Sequence, residues 1–469
     1  MTETENRGWR RLIGSREFYR RVLLVVVPIM IQSGITNFVG MLDNVMVGQI
    51  GTDQMSGVSI VNQLLFVYNL CCFGGFAGAG IFTAQFFGRG DDEGVRHTFR
   101  FKLYLALGIF AAGLFVLTVF EGPLIRSYLG QESGIGDAEA TFGYAAEYLL
   151  WMLAGLFPFA LSQVYASTQR ECGETLIPMY SGIAAVFVNL VFNYILIYGK
   201  FGAPALGVVG AAIATVLSRF VEMLILVIYV HTHPKKYPYA VGLYRSFRVP
   251  AALAKSIVIK GSPLLLNEFL WSAGMASLLQ RYSVRGLEVI AAFNISMTIS
   301  NVFNVVFISM GSATAIILGQ ELGAGDPHVR DDADRLAVTS VGACVVSGAM
   351  LFGMSYLFPQ IYNTEPEVRL LAGRFIRVAA VCSPIHAYAN ILYFTLRSGG
   401  KTLITFLFDS CFIWVVSIPA AHLLTRYTGI PIGTVYLMVQ LLEIVKCLFG
   451  GILVRKGVWV HDITRLGKA

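Results

Sequence analysis

Two short motifs occur twice in this chain, and that repetition constrains its fold more than any other feature. Ala84-Gln85-Phe86-Phe87-Gly88-Arg89-Gly90-Asp91 returns about 235 residues later as Gly319-Gln320-Glu321-Leu322-Gly323-Ala324-Gly325-Asp326. Arg170-Glu171-Cys172-Gly173-Glu174-Thr175 returns about 227 residues later as Arg397-Ser398-Gly399-Gly400-Lys401-Thr402. Both offsets are half of the 469 residues. Long apolar segments flank every copy, so the chain reads as two homologous membrane bundles, an architecture that builds one transport site between two halves.

Composition supports the membrane. With 56% hydrophobic and 13% charged residues, a water-soluble chain of this length would lack polar surface. A bilayer core of about 30 Å needs about 20 apolar residues per helix. Such segments fall at 22–46, 55–86, 99–120, 141–168, 177–198, 207–231, 253–281, 289–318, 334–358, 370–395, 403–425 and 431–454. The expected fold is therefore all-α and polytopic, with twelve spans in two pseudo-symmetric six-helix lobes. The N-lobe covers 1–231, a basic, Pro-containing loop covers 232–249, and the C-lobe covers 250–469.

Basic residues orient the spans. Arg7, Arg10, Arg11, Arg16, Arg20 and Arg21 precede the first span, and Lys235, Lys236, Arg245 and Arg248 lie in the central loop. Glu121, Glu132, Asp137, Glu139, Glu365 and Glu367 gather in odd-numbered loops. The positive-inside rule places both termini and the central loop in the cytoplasm. Six spans per half give both halves the same orientation, related by an axis along the membrane normal. The first span follows a charged stretch with no small-residue cleavage site and is expected to be retained. A net charge of +7 and pI near 9.0 raise nucleic acid as a partner, but basic loop ends beside spans suit anionic lipid headgroups instead. The seven cysteines have no metal-ligand spacing and read as packed thiols.

The repeated glycines read first as structure: Gly88 and Gly90, like Gly323 and Gly325, suit glycine-capped helix ends followed by tight turns. The run Gly74-Gly75-Phe76-Ala77-Gly78-Ala79-Gly80 lacks the Lys-Ser/Thr of a phosphate loop and suits close helix packing.

Ionisable residues at membrane depth point to function, because burying a charge is costly and such residues line polar cavities. Asp43 lies towards the outer end of span 1, about two turns after Asn37, with Pro28 further back as a bend point. Pro263 is the counterpart of Pro28, and Asn267-Glu268 follows it on span 7. His386 lies mid-span on span 10 near Tyr388, where an imidazole suits a proton role. Arg219 with Glu222, and Glu443 with Lys446, are spaced i,i+3 and read as scaffold ion pairs. Asp409 has no sequence-local partner. Amide stripes add polar faces: Asn189 and Asn193 on span 5, Asn62 and Asn69 on span 2, and Asn294, Asn301 and Asn304 on span 8. Such stripes serve either as interhelical hydrogen bonds or as pocket lining.

Arg170-x-x-Gly173-x-Thr175, then Asn189-Leu190-Val191-Phe192-Asn193-Tyr194-Ile195-Leu196-Ile197-Tyr198-Gly199, then Leu206-Gly207-Val208-Val209-Gly210-Ala211-Ala212-Ile213-Ala214-Thr215 follow one another in order. With Leu42-Asp43-Asn44-Val45-Met46-Val47-Gly48 on span 1, the chain resembles the multidrug and toxic compound extrusion (MATE) transporters over essentially its whole length. The resemblance implies a V-shaped pair of bundles around a central cavity, exporting organic, often cationic compounds in exchange for Na⁺ or H⁺. The family's span 1 aspartate matches Asp43. Its N-lobe site pairs that residue with an Asn and an Asp four residues apart on span 5, where this chain has Asn189 and Asn193. The NorM-type branch uses a span 7 glutamate, matching Glu268, and a span 10 aspartate, where this chain has His386.

The expected ion-coupling set is therefore Asp43, Glu268, His386, Asn189 and Asn193. Na⁺ at Asp43, Asn189 and Asn193 is one alternative, and the Glu268–His386 pair tilts the reading to H⁺. Asn37, Asn69, Asn267, Asn301, Asn304 and Tyr388 are the expected substrate-cavity residues, and Pro28 and Pro263 the hinges. No cofactor beyond the coupling ion is expected. Partners are small organic cations and membrane lipid, not nucleic acid, and a monomer in the cytoplasmic membrane is expected. A lipid or lipid-linked oligosaccharide flippase is the nearest rival. Neither His-Glu-x-x-His nor a Ser/His/Asp-like set is visible, which argues against a membrane enzyme.

Overall fold

The computed structural model describes residues 12–129 and 137–465, and these form helices and connecting turns with no strand. Arg7, Arg10, Arg11 and Glu132 lie outside the described residues. The helices of the first half are α1 (Arg16–Gly48), α2 (Thr52–Gly88), α3 (Asp92–Val119), α4 (Glu121–Leu129), α5 (Ala138–Leu153), α6 (Leu156–Glu171), α7 (Leu176–Tyr198) and α8 (Val208–Thr232). Those of the second half are α9 (Ala251–Ser283), α10 (Leu287–Ala324), α11 (Val329–Leu357), α12 (Pro366–Ser398), α13 (Thr402–Phe406), α14 (Ile418–Tyr427), α15 (Ile432–Leu441) and α16 (Glu443–Arg455). Spans 5, 7, 8 and 10 correspond to α7, α9, α10 and α12.

Nine of these helical stretches are long and apolar enough to cross a membrane, and α5 with α6, bent by 50° at the Ala154–Gly155 break, makes a tenth. Helices α9 and α12 are 33 residues each and long enough to cross. They fall outside that count because polar residues, Asn267 and Glu268 on α9 and His386 and Asn390 on α12, dilute their apolar character. The two helices that least resemble lipid-facing segments thus carry several of the candidate site residues.

The chain divides into two compact units: residues 31–83 with 91–255, and residues 1–30 with 84–90 and 256–469. Helix α1 runs through Pro28 without a break and passes from one unit to the other at Met30–Ile31.

In the first unit, α3 packs on α6, and α5, α6 and α7 pack on α8. The basic segment after α8 is docked rather than free. Arg100 Nε and Nη2 donate to the Leu243 and Gly242 carbonyls at 2.9 Å each, and Arg96 Nε donates to the Tyr239 carbonyl at 3.1 Å. Tyr237, Tyr239 and Leu243 are buried. A stretch that reads in sequence as a lobe-linking loop is thus held to α3 by guanidinium–carbonyl bonds.

In the second unit, α12 is central, packed on α10, α11, α15 and α16. The repeated motifs meet there. Gly90 and Gly325 take φ of +74° and +71°, the left-handed conformation that closes each helix end. A Cβ at Gly88 would collide with the Gln320 backbone, and one at Gly323 with the Gln85 backbone, so each copy is the wall against which the other packs. Gln85 is fully buried: its Nε2 donates to the Ser398 carbonyl at 2.9 Å, and its Oε1 accepts from the Ile463 amide at 2.9 Å. Arg21 on α1 bonds Glu321 at 2.8 Å. The duplicated motifs therefore end helices, as expected, and also clasp α1 and the C-terminal segment.

Candidate functional site

In the first unit the candidate site is a line of polar groups from α1 through α7 to α8. Asn193 Nδ2 donates to Asp43 Oδ1 at 2.6 Å and to Asn189 Oδ1 at 3.1 Å. Asn189 Nδ2 donates to Thr215 Oγ1 at 3.2 Å, and Thr215 Oγ1 donates to the Ala211 carbonyl at 3.0 Å. The i,i+4 spacing puts both asparagines on one face of α7, and both are buried. Asn193 Oδ1 is buried without a hydrogen-bond partner. Asp43 takes part in no ion pair within 4.0 Å among the described residues, so its charge is met by an amide dipole alone. Nearby, Tyr198 at the end of α7 donates to the Met46 carbonyl at 3.0 Å and ties α7 to α1.

The second unit holds a different cluster. Asp409 lies in a π-helical stretch, Leu407–Cys411, between α13 and α14. Asn267 of α9 donates through Nδ2 to Asp409 Oδ2 at 3.1 Å, and its Oδ1 accepts from the Ser410 amide at 3.3 Å and hydroxyl at 2.7 Å. A side chain that draws a backbone amide out of the regular ladder is a recognised cause of such local rewinding. Lys446 Nζ of α16 lies 3.3 Å from Asp409 Oδ1 and 2.9 Å from Glu443 Oε1, and 5.2 Å from the centre of the Phe412 ring. The Glu443–Lys446 pair expected from spacing is present, and Asp409, without a local partner in sequence, finds Lys446 across the bundle.

The expected pair of Glu268 and His386 is joined by no hydrogen bond or ion pair among the described residues. Glu268 feels the charges of Arg397 and Asp409, and His386 those of Glu443 and Lys446. His386 Nε2 is buried without a hydrogen-bond partner. The expected Arg219–Glu222 ion pair is corrected in its geometry: among the described residues no contact within 4.0 Å joins the two, and the Arg219 guanidinium sits 4.4 Å over the Phe159 ring of α6. Asn69 lines a small cleft with Arg219, Tyr68 and Phe159. Asn37 and Asn301 are exposed, and Asn304 and Tyr388 are half-buried. Asn267 is buried, its amide spent on Asp409 and Ser410. Pro28 is buried and Pro263 half-buried, each inside an unbroken helix. Lys446 as a partner of Asp409 escaped sequence reasoning, and the available signal was an unmatched carboxylate and an excess of acid over base in spans 11 and 12.

The sequence pattern of the MatE family matches residues 28–195 and 263–423. The two matches begin at Pro28 and Pro263, which repeats the half-chain offset of the motifs. The chain is similar to the probable multidrug resistance protein NorM of Thermotoga maritima, 26% identical over 420 residues that cover 88% of this chain and 86% of that protein. It is equally similar to the probable multidrug resistance protein YoeA of Bacillus subtilis, 26% identical over 431 residues and 88% of each chain. Its fold matches a structure described as the outward-facing conformation of a multidrug resistance MATE family transporter of the MOP superfamily, with a TM-score of 0.84 at 19% identity over 96% of this chain and 98% of that one. With its motifs in order and its family pattern present in both halves, this chain belongs to the MatE family of multidrug efflux transporters and is a multi-pass membrane transporter, not an enzyme.

Proposed function

We propose that this transporter is a secondary antiporter that exports organic cations in exchange for H⁺ or Na⁺, and that the coupling ion binds at Asp43. The observation that carries the reading is the setting of that carboxylate: it is held by the Asn193 amide at 2.6 Å, beside the buried, unpartnered Asn193 Oδ1, with no fixed cation on it. A carboxylate with only dipoles around it gains most from a mobile positive charge. Asn193 Oδ1 and Asn189 Oδ1 are hard oxygens of the kind Na⁺ takes, and a proton on Asp43 would remove its charge outright. Either event weakens the attraction of the site for a cationic substrate, so ion entry and substrate release compete.

With α9 and α12 counted as membrane-crossing, the transporter has twelve spans, six in each half-chain repeat, in the cytoplasmic membrane with both termini inside. Pro28 acts as the hinge of α1, a reading supported by the division of the chain between Met30 and Ile31, less than one turn beyond it. Rearrangement of α1 at that point accompanies ion binding at Asp43.

The test is efflux of a fluorescent organic cation from proteoliposomes under separately imposed Na⁺ and H⁺ gradients. The expected result is gradient-driven movement in the wild type that is lost in Asp43→Asn. Undiminished export by folded Asp43→Asn under the same gradients would refute the reading.

A further inference from the structure

Every buried carboxylate in a bilayer needs an answer to its charge, and the second unit supplies one from its own chain. Lys446 is buried, 5% exposed, on α16, which also carries Glu443. Its ammonium touches Asp409 Oδ1 at 3.3 Å and Glu443 Oε1 at 2.9 Å and lies over the Phe412 ring. Asp409 spends its other oxygen on Asn267. Asn267 in turn holds Ser410, and the chain is rewound into a π-helix at that point, a mark of a built site rather than a chance contact. The groups around Lys446 Nζ, two carboxylates and an aromatic face, are those that would receive a small monovalent cation.

We propose that Lys446 is a resident counter-cation that fills the Asp409–Glu443 site of the second unit in place of a coupling ion, so that this site takes up no exchangeable cation during the transport cycle. The proposal rests on the reading of Asp43 given above as the place where a cation does exchange. A compact +1 charge on a tether reaches the same oxygens as a free ion but is present at a high effective concentration and cannot leave. The position between the two carboxylates is thereby occupied by a fixed cation through the cycle. Removing the ammonium leaves Asp409 Oδ1 and Glu443 Oε1 facing the vacated point, hard oxygens suited to Na⁺ and, equally, a pair of carboxylates that share a proton.

The experiment counts cations bound per chain on the purified full-length protein. Sodium chloride alone is titrated calorimetrically, and protons are counted by pH-stat in weakly buffered detergent solution. Asp43→Asn is expected to bind one cation fewer than the wild type. Lys446→Gln is expected to bind one more than the wild type, and Asp43→Asn/Lys446→Gln one more than Asp43→Asn. Lys446→Arg, which keeps the charge, is expected to match the wild type. A folded Lys446→Gln that gains no cation would overturn the proposal. If Lys446→Gln does not fold, Asp409→Asn, which keeps the Lys446–Glu443 pair, decides: its count is expected to equal that of the wild type, and a count one lower would place an exchangeable cation at Asp409 and overturn the proposal. An Asp43→Asn count equal to that of the wild type while Lys446→Gln still gains one would instead overturn the assignment to Asp43 and leave the role of Lys446 standing.

Discussion

Asp43 and Asp409 are both aspartates within apolar helices, and the two units answer their charge differently. Around Asp43 the chain provides an amide donor at 2.6 Å and, behind it, a second amide and a threonine hydroxyl. Around Asp409 it provides an amide at 3.1 Å and an ammonium at 3.3 Å. Dipoles orient a carboxylate without bringing a charge to it, whereas an ammonium on the chain holds a fixed positive charge against it. The difference teaches that an acid at membrane depth in a transporter is read by its counter-charge rather than by its depth: an acid lacking a fixed partner is free to exchange ions.

The comparison breaks most visibly in transport. Asp43→Asn is expected to reduce gradient-driven export by about tenfold or more, equivalent to about 1.4 kcal/mol or more of lost coupling, while Asp409→Asn combined with Lys446→Gln keeps export near the wild-type rate; equal losses in proteoliposome efflux would erase the distinction. In stability the ranking reverses. Lys446→Gln alone strands two carboxylates and is expected to cost about 3–5 kcal/mol; adding Asp409→Asn should recover part of that cost, as read by thermal unfolding in detergent. A smaller effect is expected at the amide of the first site. Asn193→Ala removes a charge-assisted hydrogen bond worth about 1.5–3 kcal/mol and should weaken cation binding in calorimetry and lower the unfolding temperature by less than Lys446→Gln does. The smallest effect on cation affinity belongs to Thr215→Val, which removes two neutral hydrogen bonds, from Asn189 and to the Ala211 carbonyl, each worth about 0.5–1.5 kcal/mol, and should shift that affinity by less than Asn193→Ala does.

Most of the helices were legible because their segments are runs of apolar residues of bilayer length, a property of local sequence, whereas α9 and α12, diluted by polar residues, were read from length alone. The site was legible in part. Asp43 with Asn193 spans 150 residues; no local rule joins them, and their pairing entered through the family resemblance. Lys446 with Asp409 was not legible, because i,i+3 spacing assigned Lys446 to Glu443 and an ammonium can serve two carboxylates at once. The same spacing misled at Arg219 and Glu222, where a ring on another helix takes the guanidinium. Spacing tells which partners a helix offers, and packing decides which are taken. The segment after α8 makes the same point, since its basic, Pro-containing composition suggests a tether and three side chains of α3, Arg96, Arg100 and Tyr104, bind its carbonyls instead.

The mutual contact of Gly88 with Gln320 and of Gly323 with Gln85 has a consequence for how such a protein can change. Because each copy's main chain occupies the space that a side chain on the other would need, the two motifs form a single lock cut from two keys. A side chain introduced into either half is a fault in the other, so at this point the two copies cannot drift apart independently, and the duplication stays readable in the chain where its two products lean on each other.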